Sequence, residues 1–215
     1  MKRIILITVL MTALFTGQVL AIVYANHSCL AYNDCDLPEG YRAAGPSIGV
    51  LIIEGAGYFL KSHSQMLMLL NKVELSERCG ADYPGMQLLV KDALDNMQKA
   101  GETYKSLVAA AKATPYDPDV IAKLTVFDYD SFREANGLNK DIFSRVKKYL
   151  VKGDVTGLYV LLAADMTLII EQLQAVKTGL DAGTMPVISL LWRLNQKYGE
   201  SLLSGQYIAE VFKNL

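Results

Sequence analysis

Residues 86–111 read MQLLVKDALDNMQKAGETYKSLVAAA, and their spacing decides the fold. Met86, Val90, Ala93, Met97, Ala100, Tyr104, Leu107 and Ala111 recur at alternating intervals of four and three. Those intervals return to one face of an α-helix, giving a heptad seam that another helix must cover. Asp92, Asp95, Lys99, Glu102 and Lys105 take the wet face, with Asp95 and Lys99 paired in the favourable i,i+4 order. Small Ala93 and Ala100 let a neighbour sit close.

The same rhythm recurs on both sides. Leu158, Leu162, Met166, Ile169, Leu173, Val176 and Leu180 form a second seam, with Asp154 as N-cap and Gly183 as stop. Upstream, Ser47 is the expected cap of a helix running to about Val73. Its stripe is Ile52, Ala56, Phe59, His63, Met66, Leu70 and Val73, widened by Leu51, Ile53, Leu60, Leu67 and Leu69. Downstream, Thr184 is the expected cap and Pro186 lies in the first turn. That last helix carries Val187, Leu191, Leu194 and Tyr198, continues through Leu202, Ile208 and Phe212, and should bend near Gly199. Between 115 and 153, Asp117, Asp128 and Asn139 each precede a short helical pattern, the second stopping at Asn136-Gly137. In the third, Ile142, Phe143, Val146 and Leu150 point inward.

No run alternates with period two, so strands are not expected. The fold class is all-α: an antiparallel bundle of four long helices, with short helices inserted between the second and third. The bundle domain spans 47–215 and the insert 115–153. If the third short helix runs back along the bundle, the third long helix lies antiparallel to the first.

Ahead of the bundle, Lys2 and Arg3 precede an apolar run from 4 to 15, and small residues end at Ala21 and at Ala25. A basic start, a short apolar stretch and a small-residue cut form a secretory signal peptide, residues 1–25, cleaved after Ala21 or Ala25. The alternative is an uncleaved membrane anchor, since 4–25 could just cross a bilayer. Cleavage leaves 19 basic against 22 acidic residues, so the exported chain has no electrostatic pull toward nucleic acid. No second span is expected: 48–60 contains Glu54, and 155–170 is 16 residues long and contains Asp165. The destination is periplasmic or extracellular.

Composition narrows the classes further. The chain has 215 residues, 52% hydrophobic and 20% charged, with a net charge of -1. That excludes a disordered chain, a collagen-like chain and a polybasic nucleic-acid binder. Cys29, Cys35 and Cys79 all follow the expected cut, where disulfides form. One disulfide and one spare thiol is the simplest count. A bond to Cys79 is favoured because it closes the longer loop and pins an irregular arm at 26–46. The spare cysteine could join two chains.

Few residues suggest chemistry. His63 falls on the first helix's apolar stripe, and Asp165 borders the third helix's seam. Were those helices antiparallel neighbours, the two would meet and the carboxylate would orient the imidazole. With Met97 or Met166 opposite, His63 could also serve as an axial haem ligand. Helical seam spacing makes both methionines ordinary core residues as well. Asp128-Tyr129-Asp130 resembles the start of a calcium loop but lacks its glycine and glutamate, and capping explains Asp128 better. Ser144-Arg145-Val146-Lys147 and Lys177-Thr178-Gly179 match fragments of serine-hydrolase motifs without their structural context.

These residues support a non-enzymatic, exported helical bundle that binds another protein or an envelope component, or acts as a scaffold, and that takes no cofactor. The alternative is a small-ligand or b-type haem-binding bundle with its pocket at His63, drawing on Asp165, Met166 and Met97.

Overall fold

The computed structural model describes residues 48–215 apart from Pro115. The expected signal peptide, the arm, the Ser47 cap, Cys29 and Cys35 lie outside the described residues. Seven helices follow one another: α1 (Ile48–Cys79), α2 (Tyr83–Ala113), α3 (Pro118–Val126), α4 (Tyr129–Ala135), α5 (Lys140–Leu150), α6 (Val155–Asp181) and α7 (Ile188–Lys213). Among the described residues there are no strands.

The two cleanest seams are buried as spaced. Every member of the α2 repeat from Met86 to Ala111 is buried, and so is every member of the α6 repeat from Leu158 to Leu180. Polar side chains set the starts: Asp82, Asp117, Asp128, Asn139 and Asp154 each accept a backbone N–H from the first turn of the helix that follows. Each satisfies donors that a helix start leaves orphaned. In α5, Phe143, Val146 and Leu150 are buried and Ile142 is partly so.

Four details differ from the sequence reading. First, α1 continues past Val73 to Cys79, where Gly80 adopts φ 82° and stops it. Second, the buried face in the first half of α1 is rotated by one residue. Leu51, Gly55, Phe59 and Ser62 are buried, while Ile52, Ala56 and His63 lie at the flank. The rotation has visible causes: the Tyr104 ring occupies the place where a side chain on Gly55 would stand, and the Ser62 hydroxyl reaches a carbonyl on α2. Third, Thr184 does not cap the last helix. Its N–H donates to Gly179 O, with Gly183 at φ 74°, which closes α6 in a Schellman turn. Accordingly α7 starts at Ile188 without a side-chain cap, Val187 is exposed, and the helix runs unbroken through Gly199 and Gly205. Fourth, α6 is 27 residues long and, by length and composition, is apolar enough to cross a membrane, with 33% of its most apolar window buried.

Packing runs α1 on α2, α2 on α6, α6 on α7 and α7 on α1, and α5 packs on both α6 and α7. Gln87 donates to Leu180 O, while Gly101 faces Ile170, so α2 and α6 run in opposite directions. Ser62 bonds Ala93, and Gly55 faces Tyr104, so α1 and α2 are opposed too. The first and third long helices therefore share a direction, contrary to expectation, and are not among the packed pairs. One continuous apolar core runs through all these contacts. The contacts are compatible with a four-helix bundle.

Candidate functional site

The residues singled out in the sequence do not gather at one point. His63 projects from the flank of α1 toward α7, where its Nε2 lies 2.9 Å from Asn195 Oδ1. Asn195 Oδ1 can only accept, so this nitrogen carries the proton. The imidazole stacks on the Tyr198 ring, with centroids 4.9 Å apart and planes 16° from parallel. Burial lowers the His63 pKa below its ordinary 6.5, and the bond to Asn195 opposes that shift in part. Beneath the ring, Ser62 Oγ donates to Ala93 O at 2.6 Å. Its single hydrogen is thereby used, so Tyr198 Oη donates to Ser62 Oγ, also at 2.6 Å. Phe59 meets the same tyrosine edge-on at 5.3 Å. The cluster ties α1, α2 and α7 together and satisfies each buried hydroxyl.

Asp165 stands elsewhere. Its Oδ1 receives Arg145 Nη2 of α5 at 2.5 Å, and its side chain is 12% exposed. Its Oδ2 is buried without a hydrogen-bond partner. Burial raises the Asp165 pKa above the ordinary carboxylate value, and the pull of Arg145 does not cancel it. The expected His63–Asp165 contact is thus replaced by His63–Asn195 and Arg145–Asp165, because α1 and α6 do not pack together. Met97 and Met166 are both buried in the continuous core. Cys79 is exposed and bonded to no described residue.

The motif fragments also find ordinary partners. Asp128 accepts the Ser131 N–H as a cap, and Asp130 pairs with Lys147. Ser144 donates to Lys140 O, and Lys177 pairs with Asp181. Among the described residues, no group of three His, Cys, Asp or Glu is placed to hold a metal ion.

What sequence reasoning missed is a groove between α5 and α7 of about 430 Å³. Asn139, Asp141 and Ile142 form one wall at the first turn of α5. Asn195, Gln196, Gly199, Glu200 and Leu203 form the other along α7. The groove is positioned by Tyr207, whose hydroxyl accepts the Asn139 N–H at 3.0 Å, and whose ring lies 6.1 Å from that of Phe143. Glu200 is held by Lys197 at 2.7 Å and Gln196 at 2.9 Å, and the Lys197 bond keeps its carboxyl below the usual range. Asn195 belongs to both regions: its oxygen serves His63 and its residue lines the groove. Trp192 is 47% exposed, three and four residues before Asn195 and Gln196. Positions 192, 196, 199 and 203 lie on one side of α7, although Trp192 itself is not among the residues that line the groove. Trp192 is the only tryptophan of the chain and stands between Leu191 and Arg193.

No protein-family model matches the chain, and neither a curated protein nor a solved structure matches it.

Proposed function

We propose that this protein is an exported, non-enzymatic helical bundle that binds a partner protein through the α5–α7 groove. The four long helices form the antiparallel scaffold, and the short-helix insert supplies one wall of the site. The observation that carries this reading is the groove between α5 and α7, one wall of which comes from the insert; the half-exposed Trp192 stands on α7 one turn before Asn195 and Gln196. A large amphipathic ring left in water is of the residue type most enriched where proteins meet. The Asn139 and Tyr207 bond supports it, since a wall fixed before binding lowers the ordering cost. Residues 1–25 would direct export, and α6 serves as a core helix whose part-buried carboxylate, Asp165, is tied to Arg145.

The test is site-specific photo-crosslinking in the producing cell. A benzophenone side chain at Gln196, in the groove, should give a discrete protein adduct. The same group at exposed Asp95 on α2 should not. Equal adduct patterns at both positions would overturn the assignment.

A further inference from the structure

We propose that the arm at 26–46 runs back along the outward face of α1 and is fastened there by a disulfide between Cys29 and Cys79. This is independent of the α5–α7 groove.

The side of α1 turned away from the core is apolar. Gly55, Phe59, Ser62 and Met66 mark the buried side, and α1 packs on α2 and α7. Ile53, Leu60, Ser64, Met68, Leu75 and Cys79 recur on the opposite side at helical spacing, and none of them is an acid or a base of the Asp, Glu, Lys or Arg type. Met68 is 56% exposed and Leu75 46%. Ile53 and Leu60 are half-buried, and among the described residues neither packs on the core. A Cβ on Gly57, between them, would meet nothing within 4 Å. The outward face of α2 shows what water selects instead: Lys91, Asp95, Gln98, Glu102 and Lys105 are all exposed. A helix that is apolar on both sides is covered on both sides.

Length and anchorage choose the occupant. The arm joins α1 at Ile48, one end of this face, and the exposed Cys79 stands at the other. The 32-residue helix places these ends about 46 Å apart, at 1.5 Å per residue. The stretch from Cys29 to Ile48, about 19 steps of chain, reaches about 63 Å when extended, which leaves slack to pass over the side chains. The stretch from Cys35, about 13 steps, reaches only about 43–47 Å, and only if no residue turns. Asp36-Leu37-Pro38-Glu39-Gly40 is turn chemistry, so Cys35 falls short and remains a thiol. The arm brings Leu30, Tyr32, Leu37 and Tyr41 to a face that offers them apolar contact.

Closing the bond requires an oxidant of the disulfide class. The Cys79 thiolate attacks a sulfur of that disulfide and forms a mixed disulfide, releasing one thiol. The Cys29 thiolate then displaces the second thiol, so two protons and two electrons end on the oxidant. An exporting compartment would supply such a disulfide. The test supplies glutathione disulfide, so a failure of export and a failure of this path are told apart.

The experiment uses the full chain, with a benzophenone side chain at Met68, oxidised with glutathione disulfide. Peptide mapping should recover Cys29 joined to Cys79, with Cys35 alkylated as a free thiol. Irradiation should join position 68 to the arm of the same chain. Cys29→Ser should lower that yield about fivefold, because the tether holds the arm at a high local concentration, and Cys35→Ser should leave it unchanged. Cys35 bonded to either of the other two, Cys79 bonded to a second chain, or three free thiols overturns the path. An adduct at position 68 to a second copy or to another protein, no adduct, or a yield unmoved in Cys29→Ser overturns it equally.

Discussion

Removing the charge at Arg145 and removing it at Asp165 should have unequal consequences. The pair joins α5 to α6 at 2.5 Å, with side-chain exposures of 31% for Arg145 and 12% for Asp165. Asp165 has one satisfied oxygen and one buried orphan. Breaking a buried pair by removing one partner costs about 3–5 kcal/mol because a charge is stranded. Arg145 is about a third exposed, which screens the attraction, so Arg145→Met should cost about 2–3 kcal/mol. In a chain this size that lowers the melting temperature by about 5–10 °C. Methionine keeps the apolar stem, so the loss reports charge rather than packing. Asp165→Asn should change stability by no more than about 1 kcal/mol, because the arginine left behind can hydrate. The pH dependence fixes the sign. Burial raises Asp165 above its ordinary 3.8, so the folded chain binds that proton more tightly than the unfolded chain. Stability from this group therefore declines as pH rises through the window above 3.8. In Arg145→Met the carboxylate loses its counter-ion, so the deficit should be full at pH 7 and shrink as pH falls toward 4. Urea midpoints of the three proteins at pH 7 and pH 4 measure this. Equal losses in the two variants, or a deficit that persists in acid, would show that attraction outweighs desolvation and refute the reasoning.

Other expectations follow from single contacts. Ser62→Ala leaves the Tyr198 hydroxyl buried without a partner, and should cost about 1–3 kcal/mol; adding Tyr198→Phe should recover part of that in thermal melts. Burial lowers the His63 pKa below 6.5, so its contribution is complete above that pH and is lost as pH falls through it. Urea midpoints from pH 8 to 5 should fall in the wild type, with the slope reduced in His63→Gln. A Cβ on Gly55 would stand 2.6 Å from the buried Tyr104 ring, so Gly55→Ala should cost about 1–3 kcal/mol. Gly57→Ala meets open space and should stabilise by up to about 1 kcal/mol, and matched melting curves separate the two.

How much was legible differs from helix to helix. The α2 and α6 seams were readable residue by residue, because each has one apolar face and the helical period alone assigns it. Capping by Asp117, Asp128, Asn139 and Asp154 was equally local, since the side chain bonds its own first turn. The first helix was read one residue out of phase over its first half. It is apolar on several sides, so period alone leaves its rotation open, and the choice fell to Tyr104 and Ser62. Thr184 was misread because a threonine before a proline looks like a start, whereas its N–H had already been claimed by Gly179 O. Of the candidate site, His63 was found and its partner was not. Arg145 lay inside a discarded motif, although a lone Asp165 in an otherwise uncharged run of α6 called for a counter-ion.

By itself the sequence determined that helices form, where most begin, and which stripe of α2 and α6 is buried. These depend on φ/ψ preferences and side-chain reach over a few residues. Tertiary structure alone decided which stripes meet. His63 and Asn195 are 132 positions apart, and Asn139 and Tyr207 are 68 apart. Whether such groups pair depends on the register and order of whole helices. Those are set by the burial of the entire core, to which no single local pattern is sensitive.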